Sequence, residues 1–213
     1  MKKIIAIAGF KGGVGKSTLA NFLAEKLQNS TVLNLDNYQD AADFNTADTV
    51  NLGPADDIEA VIKSKSSDFF IIDAGGFDDA RLRSVALDLL ILPMRTDYRS
   101  IKTTIDSAVT IMAGIENKDL PILFVVNEYE REKELDTAVE IVQTVLGLTE
   151  GLPTDNLSLF AIKKSDAIKT AINRKMSLEE LKESNRVAYN TVNKQFEDFR
   201  DEVLEILKGG EDG

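Results

Sequence analysis

Short apolar runs recur along the chain at residues 4–8, 31–35, 69–72, 87–92 and 122–126. They are apolar throughout rather than alternating, which predicts strands buried on both faces. Helical spacing separates them, clearest at 101–115 and 132–146, and a further helix is predicted over 16–28. Strands and helices in this alternation predict an α/β fold, a mostly parallel twisted sheet with helices on both faces. A last strand is predicted at 157–162. Beyond it the chain reads as a helical C-terminus, with Phe196, Phe199, Val203 and Leu207 at helical spacing. The acidic segment 38–65 resists assignment, apart from a short apolar run at 49–52. In such sheets ligands bind at the carboxyl ends of the strands, where Asp36, Asp73 and Asn127 are expected.

Composition narrows the picture. At 213 residues and 43% hydrophobic content, a single domain over residues 1–208 is expected, with a disordered tail at 209–213. There are no cysteines and no histidines. Disulfides, thiolate metal sites and histidine general bases are therefore excluded, and carboxylates, lysines or water must carry any proton transfer. The net charge of −11 disfavours nucleic acid and anionic membrane unless a local basic patch exists. The apolar run at 4–8 is too short for a signal-peptide core. A cytoplasmic location is expected.

The strongest chemical signal is Gly9-Phe10-Lys11-Gly12-Gly13-Val14-Gly15-Lys16-Ser17-Thr18. The general phosphate-loop pattern places its first glycine six residues before the lysine, at a position held here by Phe10; Gly9 is one place early. The physics of the loop is intact. Glycines at 12, 13 and 15 let backbone N–H groups turn inward around phosphate oxygens, and the following helix points its positive end at the same place. Lys16 would reach the β- and γ-phosphates, and Ser17 would ligate Mg²⁺. The bland alternative is a glycine-rich strand-to-helix turn. A P-loop NTPase fold with ATP and Mg²⁺ as ligands is expected, with residues 11–18 as the nucleotide contact.

The string Lys-Gly-Gly-Val-Gly-Lys-Ser-Thr resembles the deviant Walker A motif of the ParA/MinD ATPases. That resemblance implies that Lys11 crosses the interface of a nucleotide-sandwich homodimer to the partner's ATP. It implies that Asp36 is the switch I aspartate, orienting the attacking water and touching the Mg²⁺ shell. Many relatives carry a second aspartate two places earlier, where this chain has Asn34. The work is then left to Asp36, with Asp40 or Asp43 as alternative contributors. Asp73 matches a Walker B aspartate holding Mg²⁺ through water, Ala74-Gly75-Gly76 a flexible switch II turn, and Pro93 a proline that follows the next strand. Asn127 resembles the family's base-contacting asparagine. Asn127-Glu128-Tyr129-Glu130 lacks the lysine of a guanine-specific pattern, which favours adenine; Glu130 keeps GTP as a minor option. Helix N-cap and strand-end turn roles are the alternatives for Asp36, Asp73 and Asn127.

The resemblance is nearest to ParA-like partition ATPases: slow switches that dimerise on ATP, are released by hydrolysis, bind DNA without sequence preference (and so associate with the nucleoid), and answer to a ParB-like or other stimulating partner. The amphipathic stretch 193–208 carries an acidic polar face, so packing on its own domain or at a dimer interface is expected rather than membrane binding. For DNA, the candidate basic groups are Lys163, Lys164, Lys169, Arg174 and Lys175, or Arg81, Arg83, Arg95, Arg99 and Lys102. A solvated mixed surface is the alternative for both. Two other functional classes remain open: an ATP-dependent metabolic ligase or synthetase of the same fold, and a nucleotide-binding regulatory module with little hydrolysis.

Overall fold

The computed structural model describes residues 2–35, 48–75, 80–153, 155–174 and 176–209. Among these described residues seven strands form one sheet: β1 (Lys3–Ile7), β2 (Ser30–Asn34), β3 (Asp48–Asn51), β4 (Phe69–Asp73), β5 (Leu89–Met94), β6 (Ile122–Tyr129) and β7 (Leu157–Lys163). Their spatial order is β3-β2-β4-β1-β5-β6-β7, and every pairing is parallel. The helices are α1 (Lys16–Lys26), α2 (Ile58–Ser64), α3 (Tyr98–Gly114), α4 (Glu132–Gly147), α5 (Asp166–Arg174), α6 (Leu178–Ser184) and α7 (Arg186–Gly209).

Side chains alternate across each strand, and this splits the core in two. Ile5, Ile7, Val32, Ile71, Leu123 and Val125 face α1 and the C-terminal helices. Ala6, Leu33, Phe70, Ile72, Phe124 and Val126 face the side carrying Ile62, Ile105 and Val142 of α2, α3 and α4. Helices on both faces leave the inner strands no solvated side, which is why they read as unbroken apolar runs. The apolar stripe of α7 closes on α1 and β7: ring centroid to centroid, Phe196 lies 4.7 Å from Phe22 of α1 and Phe199 lies 5.5 Å from Phe160 of β7, and Phe199 and Val203 are fully buried. No helix among the described residues is long and apolar enough to cross a membrane.

Three local differences from the sequence reading have plain causes. The segment 38–65 contains edge strand β3 and helix α2, the latter capped by Asp57 accepting from the Ala60 N–H. Its apolar content is small because α2 buries only Ile58 and Ile62. Pro93 lies inside β5 rather than after it; β5 pairs with β1 only over Leu89–Ile91, so Pro93 sits where the strand has a single partner, β6. Asn127 lies within β6, which continues through an irregularity to Tyr129. Of the expected tail, Gly209 closes α7 and residues 210–213 lie outside the described residues.

α6 is tied to α1 by a carboxylate. Ser177 and Glu180 form a reciprocal capping box at the start of α6, and Glu25 accepts from the Leu178 N–H at 3.0 Å and the Glu179 N–H at 3.2 Å. Burial pushes the Glu25 carboxyl above the usual 4.5, only partly offset by these N–H groups and Lys26. The folded chain therefore binds this proton more tightly than the unfolded one. The stabilising contribution is complete below 4.5 and is lost as pH rises through the raised folded value. Urea unfolding of Glu25→Gln at about pH 4 and about pH 7 should show the variant gaining on wild type at the higher pH.

Candidate functional site: the loop between β1 and α1

β1 ends at Ile7, and α1 starts at Lys16 with Gly15 as its N-cap in a left-handed conformation (φ 98°, ψ 22°). Gly13 is also left-handed, at φ 72°. Because the N-cap is glycine, no cap side chain occupies the first-turn N–H groups of α1, and the first turn carries no acidic residue. A Cβ placed on Gly12 or Gly13 would meet no atom within 4 Å, so these glycines border open space. Lys16 is buried to 8% exposure and folds back to donate from Nζ to the Lys11 carbonyl at 3.2 Å. An uncapped helix N-terminus, a lysine beside it and an open glycine rim together fit a polyphosphate.

The strand ends supply the cation chemistry. Asp73 closes β4, two residues beyond Ile71, so it shares the face of α1, whose first turn carries Ser17. Asp73 is 1% exposed. A hydroxyl and a carboxylate on one side of the loop are the hard oxygen donors that Mg²⁺ prefers. Asp36, Asp40 and Asp43 lie outside the described residues, as does Gly76 of the expected switch II turn; Ala74 donates its N–H to the Ile7 carbonyl at 3.0 Å.

Asn34 also has a defined place. It is the register partner of Asp73 on β4 and of Asn51 on β3, and its Nδ2 donates to the Asn51 Oδ1 at 2.8 Å. The amide tethers the edge strand while adding no charge beside Asp73. Asn34→Asp would break that bond and set two buried carboxylates on neighbouring strands about 4.8 Å apart. We expect a loss of about 2–4 kcal/mol at neutral pH, smaller near about pH 5, measured by urea unfolding.

Residues from β5, β6 and α3 surround the outside of the loop. Asn127 is 5% exposed, and its Nδ2 donates to the Val14 carbonyl at 2.7 Å. Arg95 donates from Nη2 to the Gly13 carbonyl at 2.7 Å and forms an ion pair with Glu128. The Ser107 hydroxyl accepts from the Phe10 N–H at 3.2 Å. Lys11 Nζ lies 3.5 Å from Asp97 Oδ2. Asp97 also caps α3 by accepting from the Ser100 N–H at 2.8 Å. Burial pushes the Asp97 carboxyl up, but the Ser100 N–H and Lys11 outweigh it and hold it below the usual range. Sequence reasoning placed Arg95 in a surface basic group and missed Asp97, Ser107 and Glu128. Only Asp97 left a local signal, an aspartate just ahead of a helical repeat.

The two basic groups are thinner in three dimensions than along the chain. Lys163 pairs with Glu132 at 3.3 Å and Lys164 with Glu130. Lys175 lies outside the described residues. In the second group Lys102 pairs with Asp106 at 2.7 Å, Arg81 donates to the Gly53 carbonyl at 2.6 Å, and Arg95 is committed to the loop. A broad cleft lies at the amino ends of the strands, opposite the loop, between Lys3, Asp88, Asn117 and Ile206. It contains none of the loop residues; backbone chemistry, not concavity, marks this site.

Comparison with known proteins agrees with this fold. None of the curated proteins matches the chain in sequence. Among solved structures, the chain is similar to an ATP complex of a Cyanothece McdA variant (17% identity, 96% of each chain covered, TM-score 0.64). It is also similar to the septum site-determining protein MinD of Pyrococcus horikoshii OT3 with Mg-ADP (19% identity, 97% of this chain and 99% of that one, TM-score 0.60). A third likeness is to pNOB8 ParA bound to nonspecific DNA (14% identity, 95% and 99% covered, TM-score 0.60). At these identities the likeness establishes the fold. Residues 5–178 match the CobQ/CobB/MinD/ParA nucleotide binding domain model, and the chain belongs to that family.

Proposed function

We infer that this chain is a ParA-like ATPase switch that dimerises on ATP, is released by hydrolysis, and serves DNA partition or the positioning of other cargo. The observation that carries this reading is Lys11. It stands at the mouth of the loop with its side chain 31% exposed, while Lys16 lies buried along the loop floor. This contrast supports Lys16 as the cation for the chain's own nucleotide and Lys11 as the cation offered to a nucleotide approaching from outside. Charge that builds on the γ-phosphoryl oxygens during transfer is stabilised by such a second cation. Ser17 and Asp73, with Asp36, would hold Mg²⁺, which would supply neutralising charge for the triphosphate. The N–H groups at the start of α1 would bind and orient the phosphates, and Asp36 would orient water.

The fold likeness to proteins solved with ATP, with Mg-ADP and with nonspecific DNA supports the same ligands here. For DNA, Lys169 and Arg174 on α5 are the candidate contacts, and a ParB-like or other adaptor is the expected stimulating partner. The test is phosphate release from ATP and Mg²⁺ by the protein alone, repeated with duplex DNA, alongside retention on that DNA. Slow release with no added metabolite, and retention that falls steeply with salt, are expected. Release only when a small-molecule acceptor is added would identify a ligase instead. Absence of release would leave a nucleotide-binding module.

A further inference from the structure

We propose that Arg95 and Asn127 are positioning residues that set two successive peptide units of the phosphate loop, with Glu128 holding Arg95 in place. The inference rests on the nucleotide-binding reading of the loop and assigns it an outer support. All described peptide bonds are trans, so within one planar peptide unit the C=O and the following N–H point in opposite directions. Arg95 holds the Gly13 carbonyl at 2.7 Å, which turns the Val14 N–H the other way. Asn127 holds the Val14 carbonyl at 2.7 Å, which does the same for the Gly15 N–H. Two carbonyls pulled outward leave two adjacent N–H donors directed to the inner side, where phosphate oxygens would lie.

The supports come from elements far away in sequence. Arg95 directly follows β5, and Asn127 lies on β6, next to β5 in the sheet. Glu128 has φ 63° and sits at the register irregularity between Asn127 and Tyr129. Such bulges re-aim a side chain, and here Glu128 meets the Arg95 guanidinium. The arginine therefore bridges a carboxylate and a loop carbonyl, a geometry that its planar fork suits and a lysine does not. Asn127 also approaches so closely that a Cβ on Gly15 would fall 2.3 Å from its Nδ2. In this arrangement the Asn127 Nδ2 is committed to the loop backbone, a role separate from the base contact drawn from family resemblance.

A ligand without a base separates the two roles. Displacement of a fluorescent ATP analogue by ATP, by GTP and by inorganic tripolyphosphate, each with Mg²⁺, is measured for wild type, Arg95→Ala, Arg95→Lys, Glu128→Gln and Asn127→Ala. Thermal melts confirm that each variant is folded. Arg95→Ala and Asn127→Ala are expected to weaken all three ligands by a common factor of about tenfold. Glu128→Gln should weaken them by a common factor of about threefold, and Arg95→Lys should restore only part of the loss. Loss of ATP affinity with unchanged tripolyphosphate affinity in Asn127→Ala would overturn the inference in favour of a base contact. Unchanged affinities in Arg95→Ala would overturn it for the arginine. Failure of the wild type to bind any of the three would instead refute the nucleotide-binding reading beneath it.

Discussion

Gly15→Ala is expected to lose nucleotide binding and to melt well below wild type. Two costs combine. At φ 98° an L-residue is strained, by about 1–2 kcal/mol. The new methyl would also stand 2.3 Å from the Asn127 Nδ2, so Asn127 must move and release the buried Val14 carbonyl, at about 1–3 kcal/mol. A total of about 2–5 kcal/mol follows, a large share of a typical domain's stability. Gly12→Ala is the control. Its methyl meets nothing, so the melt should match wild type while nucleotide affinity still falls, because the methyl projects into the space the phosphates need. Differential scanning fluorimetry with and without ATP separates the two effects. Equal melting temperatures for Gly15→Ala and wild type would contradict the contact geometry described for the loop.

Lys11→Ala should do the opposite: leave the fold and ATP affinity nearly untouched and abolish the ATP-dependent dimer. The ion pair with Asp97 spans 3.5 Å between side chains that are 31% and 56% exposed. Such pairs contribute at most about 1 kcal/mol, so the lysine can leave Asp97 at little cost. The Lys16 contact is to the backbone carbonyl of residue 11 and survives the substitution. Sedimentation velocity with ATP and Mg²⁺ should show a dimer for wild type and a monomer for the variant. Identical sedimentation would remove Lys11 from any role across an interface. Asp97 gives this lysine a resting place on its own chain, which on the proposed reading an approaching nucleotide phosphate must outcompete.

The parts of the site that were readable in sequence are those whose chemistry is local. Gly12, Gly13 and Gly15 would act through their own backbone, and Lys16 and Ser17 through side chains on the first turn of the helix they begin, so their spacing suffices. Asp73 was readable because an apolar strand runs straight into it. The outer support was not. Arg95 and Asn127 meet the loop, and Glu128 meets Arg95, only because the sheet order sets β5 beside β1 and β6 beside β5, and nothing in their neighbourhoods states that order. Arg95 looked like a surface cation because it stands among other basic residues, and Asn127 looked like a strand end because the irregularity at Glu128 has no sequence signal. The edge region failed for a different reason: α2 and β3 bury few residues, and weak burial leaves weak periodicity. Asn34 was noticed as a departure, but its bond to Asn51 needed the strand pairing to be seen.

The most direct test of the account is isothermal titration of ATP with Mg²⁺ into wild type and Lys16→Ala. Lys16 is the buried cation at the head of α1 and has no part in the apolar core, so the variant should fold. Wild type should bind, and Lys16→Ala should bind about a hundredfold more weakly or not at all. Equal affinity in the two proteins would show that the loop between β1 and α1 is not where this chain holds nucleotide.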